Sequence, residues 1–442
     1  MNTHSQSTSN FTRRDFVKAS ALTAGGVALA SSAAASLTSF IPGMGVHRGD
    51  EGRIKVGVIG CGGRGTGALV NSLEGSPDTV IHAVGDVFKD RLDGAMGEIS
   101  KLPSELKERC QIGDRQFVGF DAYKQVIGSG IDLAILATPP HFRPMHFEAA
   151  INAGKHVFFE KPVAVDPAGI RKVIAAAQHA TEKGLSVVTG TQRRHQTSYL
   201  EAMKRVEGGA IGKVVAANCW WNQGDLWHRE HDPKWSDMEW QLRNWLYFTW
   251  LSGDHIVEQH VHNIDVCNWA IGSTPLRCVA LGGRQVRTQP QFGHIFDHFA
   301  VQYEYADGVV MNSQCRQIVG CVNKVAEQII GTDGILNTAD PNAQIVGKNP
   351  WKHDSKKNNA PYVQEHTDLV ASVLGEGPRL NEGKRVAEST LTAIMGRMAA
   401  YTGKEVTWEF AMNSKLDLSP PAYEFGSLPV PDVAMPGRTP LV

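Results

Sequence analysis

Between residues 54 and 190, short apolar runs alternate with amphipathic stretches of helical period. Ile54, Val56, Val58 and Ile59 form a β-branched run of the kind buried on both faces of a parallel sheet. Further strands are predicted at 80–85, 131–136, 156–159 and 185–188. The intervening segments predict helices at 64–74, across a charged stretch at 88–109 that Pro103 interrupts, at 143–153 and at 167–183. Gly154 and Gly184 stand where the last two should end. Repeated βα units of this length predict a doubly wound parallel sheet, an α/β Rossmann domain over 54–190.

The pattern changes near Thr191. One helix at 196–207 precedes an alternating strand at 213–221, a tryptophan-rich loop at 221–250 and a helical segment at 257–271. Strand-like runs follow at 276–285, 298–305, 309–315 and 326–330, with Asp307-Gly308 as a hairpin turn. Helices at 364–374 and 384–401 come last. Residues 191–415 thus predict an α+β domain on an open, mainly antiparallel sheet, and 416–442 a proline-rich extended arm.

The first residues carry a different signal. Thr12-Arg13-Arg14-Asp15-Phe16-Val17-Lys18, an alanine-rich apolar stretch over 19–30 and Ala33-Ala34-Ala35 stand in the order of a twin-arginine export signal. The expected organisation is a signal over 1–35, a linker over 36–53, passage through the twin-arginine machinery and residence in the periplasm, anchored to the membrane if the signal stays uncleaved. That pathway carries folded proteins, so a cofactor should leave the cytoplasm already bound. The seven cysteines form no C-x-x-C pair, and folding in a reducing cytosol leaves them unpaired. A formal net charge of −1 over 442 residues with few charge runs argues against a nucleic-acid partner.

The chemistry begins directly after the first strand. Gly60, Gly62 and Gly65 have the spacing G-x-G-x-x-G at a strand-to-helix turn, with Gly63 and Arg64 between them. The first glycine permits the turn, the second admits a pyrophosphate and the third lets helix and strand pack. Asp86 ends the second strand about twenty residues later, where an acid binds the ribose 2′-OH. It disfavours a 2′-phosphate, so NAD is expected over NADP, with Lys89 and Arg91 softening the preference. Two more segments follow strands directly, Ala137-Thr138-Pro139-Pro140-His141 and Glu160-Lys161-Pro162. Farther on, Glu258, His262 and Asp265 share one face at helical spacing, and a carboxylate-oriented histidine suits proton transfer from a carbinol.

These segments, together with Gly190-Thr191-Gln192-Arg193-Arg194-His195, resemble the glucose–fructose oxidoreductase/inositol dehydrogenase family across nearly the whole mature chain. The resemblance implies Lys161 as catalytic lysine, His262 as catalytic histidine and Glu258 as its paired acid, in place of the usual aspartate. It also implies Thr138, Pro139, His141 and Glu160 beside the nicotinamide, and Arg194 in the substrate pocket with Arg193 and His195 adjacent. Asp265 follows as a substrate-side acid. His260 departs from the family's usual glycine and gives Asp254, His255, Glu258, His260 and His262 the look of a ligand cluster, joined by His228 and His231. Alternate helix residues face apart, so no metal is expected.

Tryptophans of the 221–250 loop either stack on sugar rings or pack the interior; Trp221 and Trp227 are the ones expected at substrate. The expected activity is hydride transfer between NAD and a carbinol of a sugar, polyol or glycoside. The alternatives are a glycosidase using transient C3 oxidation, a metal-assisted variant of either, and a binding protein retaining the cofactor structurally. The open sheet face and the resemblance both predict a homo-oligomer.

Overall fold

The computed structural model describes residues 52–339 and 342–442; the twin-arginine segment and most of the linker lie outside them. The first sheet is wholly parallel, in the strand order β3-β2-β1-β4-β5-β6. Its elements run β1 (Ile54–Ile59), α1 (Gly63–Gly75), β2 (Thr79–Asp86), α2 (Lys89–Ser100), α3 (Ser104–Glu108), β3 (Gln116–Val118), α4 (Ala122–Gly128), β4 (Leu133–Leu136), α5 (Arg143–Asn152), β5 (His156–Phe159), α6 (Pro167–Glu182) and β6 (Val187–Thr189). The sheet reverses direction of growth between β1 and β4, and crevices at such points take ligands beyond the strands' carboxyl ends. The charged stretch at 88–109 divides at Pro103 into α2 and α3. Strand β3, of 3 residues, and helix α4, of 7, are too short to show in the sequence pattern.

The second sheet has nine strands in the order β14-β13-β12-β11-β7-β10-β9-β8-β15. Helix α7 (Thr197–Glu207) leads into β7 (Val214–Gln223), followed by α8 (Asp237–Arg243), α9 (Thr249–Ser252), α10 (His255–Glu258) and α11 (Val261–Ile271). Strands β8 (Arg277–Gly283), β9 (His298–Glu304), β10 (Val310–Gln317), β11 (Lys324–Gly331), β12 (Gly334–Thr338), β13 (Gln344–Gly347) and β14 (Trp351–Lys352) complete most of it. After α12 (Pro361–Leu374) and α13 (Gly383–Thr402), β15 (Val406–Thr407) adds the last edge and α14 (Trp408–Asn413) follows. All pairings are antiparallel except β7 with β10. Helices α11 and α13 cover one face. The other is open, with Leu281 at 78% exposure beside Val279 and Trp220.

Two departures from the sequence pattern matter for the site. The stretch 257–271 is not one helix: it breaks at Gln259 and His260 between α10 and α11. Helix α12, from the second half of the chain, packs on the first sheet, where Leu369, Val370 and Val373 join Val56, Leu69 and Leu73 in one core. Truncating Leu369, which is fully buried, should lower unfolding stability by about 2–5 kcal/mol, read by chemical denaturation.

Candidate active site

The turn after β1 is built for close backbone approach. Gly60 has φ +96°, and a Cβ there would come within 2.7 Å of the Thr138 backbone nitrogen. A Cβ on Gly65 would overlap the Gly60 carbonyl oxygen, while around Gly62 and Gly63 there is open space. Beside this turn, the Asp86 carboxylate accepts hydrogen bonds from the Cys61 N–H at 2.7 Å and the Phe88 N–H at 2.8 Å. Burial raises the Asp86 pKa, and these two N–H groups and Arg91 act against that rise. A cavity of about 440 Å³ opens here, lined by Gly60, Gly62, Gly63, Arg64, Gly65, Asp86, Thr138 and Pro139. A glycine cradle, an empty space over it and an acid at the ribose position fit a dinucleotide.

The far wall of that cavity is aromatic and was not legible in the sequence. Phe88, Phe120, Tyr123 and Phe142 line it from the first sheet, and Trp227, Arg229, Leu242, Arg243 and Trp245 close it from beyond β7. Arg243 reaches back to both carboxylate oxygens of Asp90, at 2.9 and 3.0 Å, and lies 3.9 Å over the Phe88 ring. The arm after α14 packs behind this wall. Phe425 stacks on Phe88 at 5.8 Å, the Tyr423 hydroxyl sits 2.8 Å from His141 Nε2, and Gln241 donates to the Leu428 carbonyl. His141 therefore turns towards the arm and Trp250, and is not among the lining residues. Trp227 stands at this end, edge-on to Trp245, and not beside His262.

The reacting end lies where β5, β7 and α11 meet. Arg143 donates to the Pro162 carbonyl at 2.6 Å and holds the segment after β5, whose Lys161–Pro162 peptide is cis. Lys161 Nζ donates to the Glu258 carbonyl at 2.7 Å and to its carboxylate at 3.1 Å. The other Glu258 oxygen accepts from Gln259 Nε2 at 2.5 Å. Glu258 thus meets Lys161 and not His262, contrary to the shared helix face read from the sequence. The helix break separates the two, and an ammonium only 13% exposed needs a counter-charge.

The imidazole of His262 lies against Trp221, ring centroids 5.6 Å apart and planes 20° from parallel. Its Nδ1 is buried without a partner. Burial and then the charges of Lys161, Arg193 and Arg64 hold its pKa well below the usual imidazole range. Such a ring stays neutral and able to accept a proton.

The remaining candidates are committed to each other. Arg194, expected in the substrate pocket with Asp265, grips Asp265 through two hydrogen bonds of 2.7 and 2.9 Å and lies 4.2 Å over Trp269. Arg193 bonds Glu327 and Asn263. Glu160 holds Arg64, which also reaches Glu365 on α12 at 2.9 Å. The ligand-like cluster disperses: Asp254 pairs with His255, and His260 turns inward to Ser313 at 2.7 Å. Among the described residues no group of three metal-binding side chains converges, and the seven cysteines are unpaired. Glu327, Glu365 and the arm aromatics are partners of the candidate site that sequence reasoning missed.

Residues 54–189 match the family described as the oxidoreductase family with an NAD-binding Rossmann fold, GFO/IDH/MocA, and residues 199–337 match a C-terminal domain of that family. The chain belongs to this family. It is 25% identical over 340 residues to an inositol 2-dehydrogenase of Rubrobacter xylanophilus, covering 75% of this chain and 86% of the relative. An aldose-aldose oxidoreductase of Caulobacter crescentus, solved with glycerol, shares the fold at a TM-score of 0.62 and 19% identity, over 80% of this chain and 99% of that one. A levoglucosan dehydrogenase solved with NADH and levoglucosan does so at 0.62 and 16%, with the same coverage. The protein is thus a GFO/IDH/MocA oxidoreductase with an NAD-binding Rossmann domain.

The state of His262 sets a pH signature. With its pKa held low, the acid limb of a kcat/KM profile for alcohol oxidation should fall below the ordinary imidazole range. A limb at the ordinary imidazole value would remove His262 as the proton acceptor.

Proposed function

We propose that this chain is an exported, NAD-dependent oxidoreductase that acts on a carbinol of a sugar or polyol and keeps its cofactor bound. The observation that carries the reading is the Lys161 ammonium, held by Glu258 and acting by its charge on the buried His262, in a chain whose glycine turn opens on a cavity fit for a dinucleotide. The nicotinamide, when bound, supplies or accepts the hydride. Lys161 Nζ, held at its Glu258 partners, directs its remaining hydrogen at the carbinol oxygen and stabilises charge developing there. Neutral His262 takes the hydroxyl proton, and in the reverse direction returns it to the carbonyl oxygen. The relatives support the substrate class, since their names refer to inositol, aldose and levoglucosan.

Asp86 favours NAD, because a 2′-phosphate would meet a buried carboxylate already fixed by two backbone donors. The wall supports retention, since Arg243 on Asp90 and Phe425 on Phe88 stand on the outer side of the adenosine end. Export by the twin-arginine machinery gives retention its purpose, since the periplasm offers no pool of dinucleotide. A second copy of this chain is the partner proposed for the open face of the nine-stranded sheet.

Lys161→Ala and His262→Ala should each lower hydride transfer by at least about a hundredfold, the scale of a lost acid–base group. Near-normal turnover in either would end the assignment. Native mass spectrometry of protein recovered from the periplasm tests the rest in one measurement. One NAD per chain, a mass lacking the first 35 residues and a multiple of one chain are expected, the cleavage point being the end of the alanine-rich signal. NADP in its place would overturn the role given to Asp86, and an empty protein would overturn retention.

A further inference from the structure

Lys161 is held at two points of one residue, and what holds that residue lies outside the site. The ammonium donates to the carbonyl and to the carboxylate of Glu258, the last residue of α10. Helix α10 has only four residues, too few to fix its own direction. Its start is set by Asp254. The Asp254 carbonyl accepts from the Glu258 N–H at 2.9 Å and from the Val257 N–H at 3.0 Å, so the peptide of Asp254 places Glu258 directly.

Asp254 stands in a strained backbone conformation. With φ +71° and ψ 162° it occupies a region that is essentially glycine's. Among the described residues only Asp307, on the exposed hairpin turn, is another non-glycine with positive φ. A glycine would adopt the Asp254 conformation without strain, so the side chain explains why an aspartate is there. Its carboxylate is fully buried and gathers four partners. Oδ1 accepts the His255 N–H at 2.6 Å and lies 3.0 Å from His255 Nδ1. Oδ2 accepts the Phe296 N–H at 2.9 Å and the Tyr401 hydroxyl at 2.5 Å. The two backbone N–H groups can only donate, one to each oxygen. An amide of the same shape would leave one of them facing an NH2 group.

A further tie joins this turn to the lysine. Buried Arg397, on α13 with Tyr401, donates through Nη1 to the Gly253 carbonyl at 3.0 Å and to the Val165 carbonyl at 2.7 Å. The turn that begins α10 and the segment that carries Lys161 thus meet at one guanidinium. Strained backbone persists only where its surroundings over-determine it, and such places cluster at functional sites.

We propose that Asp254 is a positioning residue for the oxidoreductase reaction: its strained turn, fixed by the carboxylate, aims α10 so that Glu258 presents carbonyl and carboxylate together to Lys161. It acts through Glu258 and is remote from the dinucleotide cavity, which none of residues 252–258 lines. This rests on the oxidoreductase reading above, in which Lys161 polarises the carbinol oxygen.

The test uses the purified protein with NAD present and two variants. Asp254→Asn keeps the shape and removes one acceptor, whereas Asp254→Gly removes the strain and both acceptors. Each should lower kcat for nicotinamide reduction by a sugar or polyol by about tenfold or more, the scale of a displaced catalytic group, with KM for NAD unchanged. In a Glu258→Gln background the same changes should cost less than about twofold, because Asp254 acts through Glu258. A readout independent of turnover is the rate at which acetic anhydride acetylates Lys161, followed by peptide mass spectrometry. It should rise at least about threefold in both variants as the ammonium loses its fixed acceptors. Wild-type kcat in both variants, equal losses with and without the Glu258 change, or acetylation of Lys161 at the wild-type rate would each overturn the proposal. Loss of NAD binding or of cooperative unfolding in both variants would make Asp254 a residue of the whole fold, and overturns it too. A wild-type protein inactive on every sugar and polyol offered counts against the oxidoreductase reading instead, and the Lys161 acetylation rates then decide whether Asp254 sets the lysine.

Discussion

A buried cation needs a carboxylate, and that requirement organises the reacting end of this molecule. Lys161 is secured by Glu258, Arg193 by Glu327, Arg194 by Asp265 and Arg64 by Glu160. Each of the first two pairs joins segments that fold on different sheets or on opposite sides of the crevice. Arg64 goes further, linking the glycine turn to the end of β5 and, through Glu365, to helix α12. Removing one member of a buried pair strands the other, at a cost of about 3–5 kcal/mol, so these residues hold geometry and charge together. The dinucleotide turn and the residues proposed for proton transfer are joined by the same set of contacts.

The same constraint decides how the histidine is held. A carboxylate would orient the imidazole and raise its proton affinity, but the available carboxylate is taken by Lys161. His262 is left against the Trp221 ring, among cations, in a place water does not reach. Stacking sets the plane of the ring, and the surrounding positive charge keeps it unprotonated. A base of this kind is weak in the ground state. In the proposed reaction it becomes effective when the lysine simultaneously stabilises the substrate oxygen.

Much of this was legible because its signals are local. The glycine turn, Asp86, the Thr138-Pro139 segment and Glu160-Lys161-Pro162 each follow directly on a strand, so strand prediction placed them. The partners of these residues were not legible, since Glu327 and Glu365 lie 134 and 301 residues from the arginines they meet. The only trace of Glu327 is its alternation with Ile329 on the inward face of β11. The helix break at Gln259 and His260 was hidden too, because nothing in 257–271 disfavours a continuous helix. Tertiary contacts override the local preference there: His260 turns to Ser313, while Glu258 turns to Lys161. Arg194 and Asp265, both assigned from the sequence to the substrate side, are engaged with each other.

The aromatic arm behind the cavity gives the protein an order of assembly. Residues 423–428 are translated after every other part of the cavity wall, yet they stack on Phe88 and bond Gln241 across it. On the ribosome the first sheet can form, and expose its glycine turn, while the adenosine end still stands open. The cavity reaches its finished shape only when synthesis has passed the arm. Backing of the cavity's outer wall by the arm is thus the last contact that the direction of the chain permits.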